Sequence, residues 1–593
     1  MKIAKMAAMC VPVIFGLGCG GGGMGSGGSS LTLTLASSSA QVFQGQASVT
    51  VNASLTRTGT TGNVTLTVTG LPQGANDTVQ SPGSANSGSI TFSAGTAAAG
   101  TYPLTVAASD GTNSAQADLS LTIGAAAVIS STAGGAFSVA MSTSFQPAEW
   151  DDAFFDLVAS PIPNLSNLGP HHIRLQGVSQ GVPQGSEGTT STAWNFATLD
   201  AITQPVLGVG DHSPELQIAK APAFMYVSDD SSNSFSDLTF AQFAGYAQNL
   251  VQYYNTGGFM VGGTRYESPA YPTDTITWWG IYNEPSINNN LQASDYVNMY
   301  NALVPAMQTV DPSLKFVAME LCCGSEDWVA TFAQNVKANA PVDAVASHYY
   351  SSCNQKDTDA MLMDTVPGFV SSVQTIRSNL STNASLASVP IWVTENNVNA
   401  DYDAGNGMSA CNPGQPFVTD LRGSSPFFAA WRPYVFSQLG KGGIQALYHW
   451  DYDADQQFGE VDYNTGALQL SYWVDYWLGQ KFPPATGAQL LNYAATDDAE
   501  LETLPVLNND GSVVIMVSNH AVNDPATDNN GPGAPRSVLV DVSALGAFSS
   551  GSLLIIDQNT SVPDGPAATS VTPASQMTIT LGGYGVAFLT LTP

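Results

Sequence analysis

Between residues 30 and 124 apolar and polar side chains alternate almost one for one. LTLTL, ASVTVNASL, NVTLTVTGLP, GSITFSA, TYPLTVAAS and ADLSLTI each put every second residue on one face, the period of a half-buried strand. Gly, Asn, Pro and Ser punctuate these runs at short intervals. About seven short strands in about 95 residues predict a β-sandwich. No cluster of aromatic or acidic residues marks a binding face on it, so a spacer role is preferred to carbohydrate binding.

From 130 to 486 the pattern changes. Apolar strands are expected at 137–143, 172–177, 216–226, 275–284, 315–321, 342–350, 390–396 and 445–452. Helical periodicity separates them, most clearly in FAQFAGYAQNLVQYYN (240–255) and DYVNMYNALVPAMQTV (295–310). Eight strand–helix units in about 350 residues predict a (β/α)8 barrel. After a last barrel helix at 471–482, residues 487–593 return to strands and predict a second β-sandwich. The fold class is therefore multidomain: a TIM barrel flanked on both sides by β-sandwiches.

Composition narrows the class of partner. Of 593 residues only 10% are charged, and 46 Asp and Glu face 15 Lys and Arg, for a net charge of −31. Such a chain repels phosphate backbones, so nucleic acid is not an expected partner. Residues 1–19 (MKIAKMAAMCVPVIFGLGC) carry Lys2 and Lys5 before an apolar run too short to span a membrane, the form of an export signal. Its Gly18-Cys19 end resembles the processing site of bacterial lipoproteins, which would acylate Cys19 and tether the chain to the cell envelope; without that step the protein is secreted. Residues 20–29 read as a Gly-rich linker. Apart from a lipid on Cys19, no membrane contact is expected, and the oligomeric state is left open.

A barrel of this kind carries its chemistry at the C-terminal ends of its strands. Those ends supply Arg174, Asn283 with Glu284, Glu320, His348 with Tyr350, Glu395, and His449, Trp450 and Asp451. Glu284 ends the fourth strand and Glu395 the seventh. In a chain so poor in charge, two carboxylates aimed into one mouth call for a reason. Glycoside cleavage supplies one: a carboxyl to protonate the leaving oxygen, and a second carboxylate to attack the anomeric carbon or to activate a water.

The strand-four sequence Asn-Glu-Pro, followed by a Glu ending strand seven, resembles clan A of the glycoside hydrolases, retaining enzymes built on (β/α)8 barrels. The resemblance covers about 350 residues. It implies that Glu284 is the acid/base and Glu395 the nucleophile. It implies further that Asn283 contacts the sugar 2-hydroxyl and Arg174 supports the nucleophile. His348 and Tyr350 would line the site, and Trp450 would form the floor of the first sugar subsite. Glu284 must hold a proton while Glu395 is ionised. Within the clan the closing GYGVAFLTL is most similar to family 39, with families 5, 30 and 79 as competitors. The stretch NVTLTVTGLPQG resembles immunoglobulin-like modules of bacterial surface proteins.

The chain thus reads as an exported retaining glycosidase acting on extracellular oligo- or polysaccharides, with no cofactor or metal. A carbohydrate-binding protein without catalysis and a transglycosidase are the alternatives. The sugar, its anomer and exo or endo action stay open. Glu320 reads equally as a substrate contact or a structural hydrogen-bonding group. His171, His172 and His449 read as well as rim histidines, Trp278 and Trp279 as barrel core, and Asp451 and Asp453 as hydroxyl binders or loop caps. Four cysteines outside the signal suggest two disulfides. A bridge from Cys322 or Cys323 to Cys353, with the other joined to Cys411, would pin the loops around the pocket.

Overall fold

The computed structural model describes residues 29–145, 161–179, 181–185, 193–209, 214–227, 232–322, 324–484 and 487–593. The signal-like segment 1–19, with Cys10 and Cys19, and nearly all of the linker 20–29 lie outside the described residues. Among the described residues no helix is long and apolar enough to cross a membrane.

The chain divides into two compact units. The first is made of strands. Ser30–Leu35, Val49–Thr58, Ser87–Ser93 and Asn76–Gln80 form one sheet in that order. Thr65–Thr69 runs antiparallel to Gly100–Ser109. Burial alternates along Val49–Thr58 as the sequence does: Val51, Ala53 and Leu55 are buried and the polar residues between them are exposed.

The second unit contains the barrel. Its strands are β1 (Ala140–Phe145), β2 (Ile173–Leu175), β3 (Glu215–Ile218), β4 (Trp278–Ile281), β5 (Lys315–Leu321), β6 (Ala344–Ser352), β7 (Ile391–Asn399) and β8 (Ala446–His449). They close in sequence order, each parallel to the next, and β8 returns to β1 with Ala446 opposite Ala140. The outer helices present one apolar stripe to the strands. Along Ala241–Asn255 the buried residues Phe243, Tyr246, Ala247, Leu250, Val251 and Tyr254 recur at helical spacing. Along Ala293–Gln308 the same holds for Tyr296, Met299, Tyr300, Leu303, Val304 and Met307. Each fully buried side chain of this size contributes about 1.5–3 kcal/mol, which is what holds the helices on the barrel.

Two expectations need correction. The last sheet is not built from 487–593 alone. The strand Ser114–Ala136 continues past residue 124, and its later part pairs with Gln489–Ala495 (Ile129 opposite Tyr493) and with Arg536–Asp541 (Ala125 opposite Val538). Its Ala125, Ala127 and Ile129 join the core of that sheet. From Ile123 to Ala127 every residue is buried, and a stretch covered on both faces needs no polar positions.

The second correction concerns the cysteines. Cys353 is bonded to Cys411, and Cys322 is in a disulfide of its own. The expected crossing from 322 or 323 to 353 is absent, and Cys323 lies outside the described residues. Barrel order explains the observed bridge. β6 and β7 are neighbours with Ser352 opposite Asn399, so the loops that follow them leave side by side. Asn412 Nδ2 donates to the Cys353 carbonyl at 2.7 Å and the Cys411 amide donates to Asp401 at 2.8 Å, which fastens the long loop at the same point. The bridge spans 58 residues. Loop-closure entropy for such a span gives roughly 4 kcal/mol. Replacing both Cys353 and Cys411 with serine should lower unfolding stability by about 2–4 kcal/mol, read from denaturant midpoints without reductant.

Candidate active site

The barrel mouth is shaped by strand ends that depart from regular backbone. β4 stops at Ile281, three residues short of the carboxylate the sequence placed at its end. Tyr282 and Glu284 then take left-handed conformations (φ 71° and 46°), and in β5 Met319 and Glu320 do the same (φ 81° and 41°). Such positions cost about 1–3 kcal/mol each and persist only where the surroundings dictate them. The two turns are tied together, since the Glu284 amide donates to the Glu320 carbonyl at 3.1 Å. Pro285 brings no amide of its own into this turn. The β5–β6 register shifts between Ala318 and Leu321, and the β6–β7 register between Ser347 and His348. Bulges of this sort re-aim side chains, and here they fall on Glu320 and His348.

All seven residues singled out from the sequence meet in this mouth. Arg174, fully buried on β2, places Nη1 3.0 Å from Glu395 Oε1 and Nη2 2.8 Å from Glu320 Oε2. Its Nη2 also donates to Asn283 Oδ1 at 2.9 Å. Gln217 Nε2 donates to the same oxygen at 3.1 Å, which fixes the amide with its own Nδ2 as the remaining donor. His348 Nδ1 lies 2.8 Å from Glu284 Oε1 and 3.4 Å from Glu395 Oε2, and its Nε2 lies 3.4 Å from Glu320 Oε2. The Tyr350 hydroxyl donates to Glu395 Oε2 at 2.8 Å. Trp450 packs with Tyr350 and Phe458 beneath a cis peptide to Asp451, and the Arg174 guanidinium sits 5.8 Å over its ring. Glu284 is the partly open member, with its side chain 17% exposed against 6% for Glu395.

The charges sort themselves by surroundings. Burial is the largest influence on Glu395 and pushes its carboxyl up; the His348 and Arg174 cations and the Tyr350 hydroxyl pull it back without cancelling the rise. Burial acts on Glu320 too, but Arg174 and then His348 outweigh it and hold that carboxyl down to about 2. Burial would push the His348 ring down, yet Glu395, Glu284 and Glu320 reverse this and raise it to about 9. Both ring nitrogens face carboxylates, so at neutral pH the ring is a cation donating on both sides. Arg174 is raised: burial opposes, and Glu320, Glu395 and Glu215 override it. Burial and the nearby Glu395 charge push Tyr350 well above an ordinary phenol, so it remains a donor.

The other candidates resolve differently. Glu320 is fully buried, which removes it from contact with substrate. His449 is no rim residue: it is buried, with Nδ1 2.9 Å from Asp475, and Arg432 grips the same carboxylate at 2.9 and 3.1 Å. Glu460 lies close to His449 and Asp475, but with Arg432 on Asp475 and the His449 Nε2 on the Phe458 carbonyl at 2.6 Å, this trio is a structural ion network and no metal-binding set. Trp279 is fully buried, while Trp278 packs against Trp392 and His172 at the start of β4, away from the carboxylates. Asp451 and Asp453 are buried and His171 is exposed. Three residues of the cluster went unnoticed in the sequence: Glu215, Gln217 and Thr394. The signal for Glu215 was a carboxylate opening the apolar run ELQI.

Residues 273–414 match the family model described as the glycosyl hydrolase catalytic core, a segment that includes Asn283, Glu284, His348, Tyr350 and Glu395. Among curated proteins, a stretch of 81 residues is 31% identical to a β-xylosidase of Geobacillus stearothermophilus. It makes up 13% of this chain and 16% of that protein, so the match spans only a small part of the relative. Among solved structures, a monomeric β-xylosidase from Caulobacter crescentus superposes with a TM-score of 0.55 at 16% identity, over 79% of this chain and 99% of that one. The GH39 enzyme from Xanthomonas axonopodis pv. citri gives 0.53 at 15% identity, over 79% and 97%. The GH51 arabinofuranosidase from the same organism gives 0.54 at 12% identity, over 79% and 100%. The fold is that of these enzymes, a GH39 enzyme among them, and the family model adds a resemblance to the glycosyl hydrolase catalytic core over residues 273–414.

Proposed function

We propose that the protein is a retaining glycoside hydrolase that cleaves O-glycosidic bonds of extracellular oligo- or polysaccharides by double displacement. One observation carries this reading: an oxygen of Glu284, an oxygen of Glu395 and a nitrogen of His348 all lie within 4.8 Å of one another. An inverting pair needs about 6.5–9.5 Å to seat a water between its carboxyls, whereas a retaining pair stands about 5–5.5 Å apart.

In the first step Glu395 attacks the anomeric carbon and forms an ester, while Glu284 gives its proton to the departing oxygen. Negative charge thereby leaves Glu395 and arrives on Glu284. His348 touches both carboxylates through one nitrogen, so its cation serves either without moving far. In the second step Glu284 takes a proton from water, which attacks the ester and frees Glu395. Asn283, held by Arg174 and Gln217, offers its Nδ2 to the sugar 2-hydroxyl, a bond that strengthens in the transition state. Asn283→Ala should lower kcat/KM about 100-fold on ordinary glycosides and far less on their 2-deoxy counterparts; kinetics on the two substrate sets checks this. Export, a tether through Cys19 and a spacer role for the immunoglobulin-like segment 30–124 belong to the same proposal.

The experiment is a panel of α- and β-aryl glycosides over several sugars together with matching oligosaccharides. It starts with β-xylosides, because two of the four proteins named above are called β-xylosidases. Cleavage by the wild type and not by Glu395→Ala supports the reading. No release from any member, short or long, would overturn it and favour a binding protein.

A further inference from the structure

Beneath the two strand-end carboxylates lies a second carboxyl pair that the double displacement does not use. Glu215 on β3 and Glu320 on β5 are 1% and 0% exposed. The strand between them is β4, and at their level it carries Gly280. A Cβ there would lie 2.5 Å from Glu215 Oε1 and 2.5 Å from Glu320 Oε1, so only glycine lets the two carboxyls close over the strand. Arg174 stands directly opposite Glu215 in the β2–β3 register. The groups facing Glu320 come from every side: Arg174 from β2, Glu215 from β3, His348 from β6 and the Thr394 hydroxyl from β7 at 3.2 Å. On the outer side the Tyr296 hydroxyl takes the Met319 amide at 2.6 Å and holds the backbone that precedes Glu320.

We propose that Glu320 and Glu215 form a hydrogen-bonded carboxylate–carboxyl pair, and that through it Glu320 acts as the positioning residue for both Arg174 and His348. Like charges this close and this buried do not both ionise. One proton shared between them leaves a single negative charge under two cations. Glu215 is the one pushed up, by burial and then by the Glu320 charge, while Glu320 is the one held down. Arg174 and the His348 cation then face the single charge of this pair from below and the Glu395 carboxyl from above. Glu320 takes Arg174 Nη2 and His348 Nε2, which leaves Nη1 of the one and Nδ1 of the other aimed at Glu395 and Glu284. Without the proton on Glu215, repulsion would drive Glu320 from Arg174. Without Glu320, both cations would crowd onto Glu395.

This proposal rests on the glycosidase reading for its kinetic arm only; its other two measurements stand without it. Nuclear magnetic resonance of histidine-labelled full-length protein, with six histidines to resolve, follows the His348 ring. Its titration should centre at about 9 in the wild type. Glu320→Gln should cut the proton affinity of His348 roughly 10-fold, and Glu215→Gln, which still offers an N–H to Glu320, should change it less than about threefold. Infrared difference spectra at pH 7 should show the carbonyl band of a protonated carboxyl in the wild type that is missing in Glu215→Gln. This second measurement does not depend on Glu320→Gln folding. In kinetics Glu320→Gln should lower kcat about 100-fold with little change in KM and move the alkaline limb of the pH profile to lower pH; Glu215→Gln should lose at least tenfold less. An unchanged His348 titration in Glu320→Gln, or no lost infrared band in Glu215→Gln, overturns the proposal. If the wild type cleaves no glycoside while both spectroscopic results hold, the glycosidase reading falls and the carboxyl pair stands.

Discussion

Glu395→Gln is expected to lower kcat/KM by at least about 10⁴-fold on every glycoside the wild type cleaves, about 5.5 kcal/mol of transition-state stabilisation. The amide keeps the shape but has no charge with which to attack. Among the described residues nothing else in the mouth takes over: the proposed mechanism occupies Glu284 with the leaving oxygen, and Glu320 is fully buried beside Arg174. The loss should be as large for good leaving groups as for poor ones, because bond formation at the anomeric carbon fails in both. In Glu395→Ala a space opens before the Arg174 and His348 cations. A small anionic nucleophile such as azide should enter it and restore turnover on activated aryl glycosides, giving a glycosyl azide of inverted configuration. Retained activity in Glu395→Gln, or no effect of azide on Glu395→Ala, would assign the attack to another group. Removing one partner from buried charges also costs about 3–5 kcal/mol in stability, so each variant needs its unfolding midpoint beside its kinetics.

The second large effect is selective. Under the proposed mechanism Glu284→Gln removes the proton donor and keeps the contact to His348 Nδ1. General acid catalysis is worth about 10²–10⁴-fold. A sugar leaving group needs that proton, and its release should slow about 10³-fold. A nitrophenolate leaves without it, so formation of the ester on such substrates should slow less than tenfold. The base for the second step is lost too, so the ester accumulates. Rapid mixing should show a burst of one equivalent of phenol followed by slow turnover. Equal losses on both substrate types, with no burst, would count against Glu284 as the acid.

The sequence made the barrel legible because eight apolar strands with helices between them leave few other architectures. The strand ends then pointed to Arg174, Asn283, Glu284, His348, Tyr350, Glu395 and Trp450, which the structure brings into one mouth. What strand reading missed was the shape of those ends. Glu284 sits past β4 in a left-handed turn, and no periodicity announces a positive φ at a glutamate. Glu215 escapes sequence reading because it lies one residue before Leu216, where the apolar run of strand three begins. Its meaning depends on Gly280, a glycine that in sequence is only a small residue between Trp279 and Ile281. Glu320 could not be assigned, since the sequence does not say whether a strand-end carboxylate looks outward or down at an arginine. The disulfide was mispaired because loop neighbours follow barrel order, and Cys353 and Cys411 leave from adjacent strands. The strand past 124 escapes sequence reading because the buried run 123–127 carries no alternation, and the exposed, small and polar residues 131–136 resemble a loop.

If Glu284 and Glu395 act by the proposed double displacement, each cleavage keeps the configuration of the anomeric carbon. Proton nuclear magnetic resonance of the first sugar released, recorded within the first minutes on whichever glycoside the panel identifies, tests it most directly. The anomer of the substrate should appear first and mutarotate afterwards. First release of the opposite anomer would mean a single displacement by water and would contradict it.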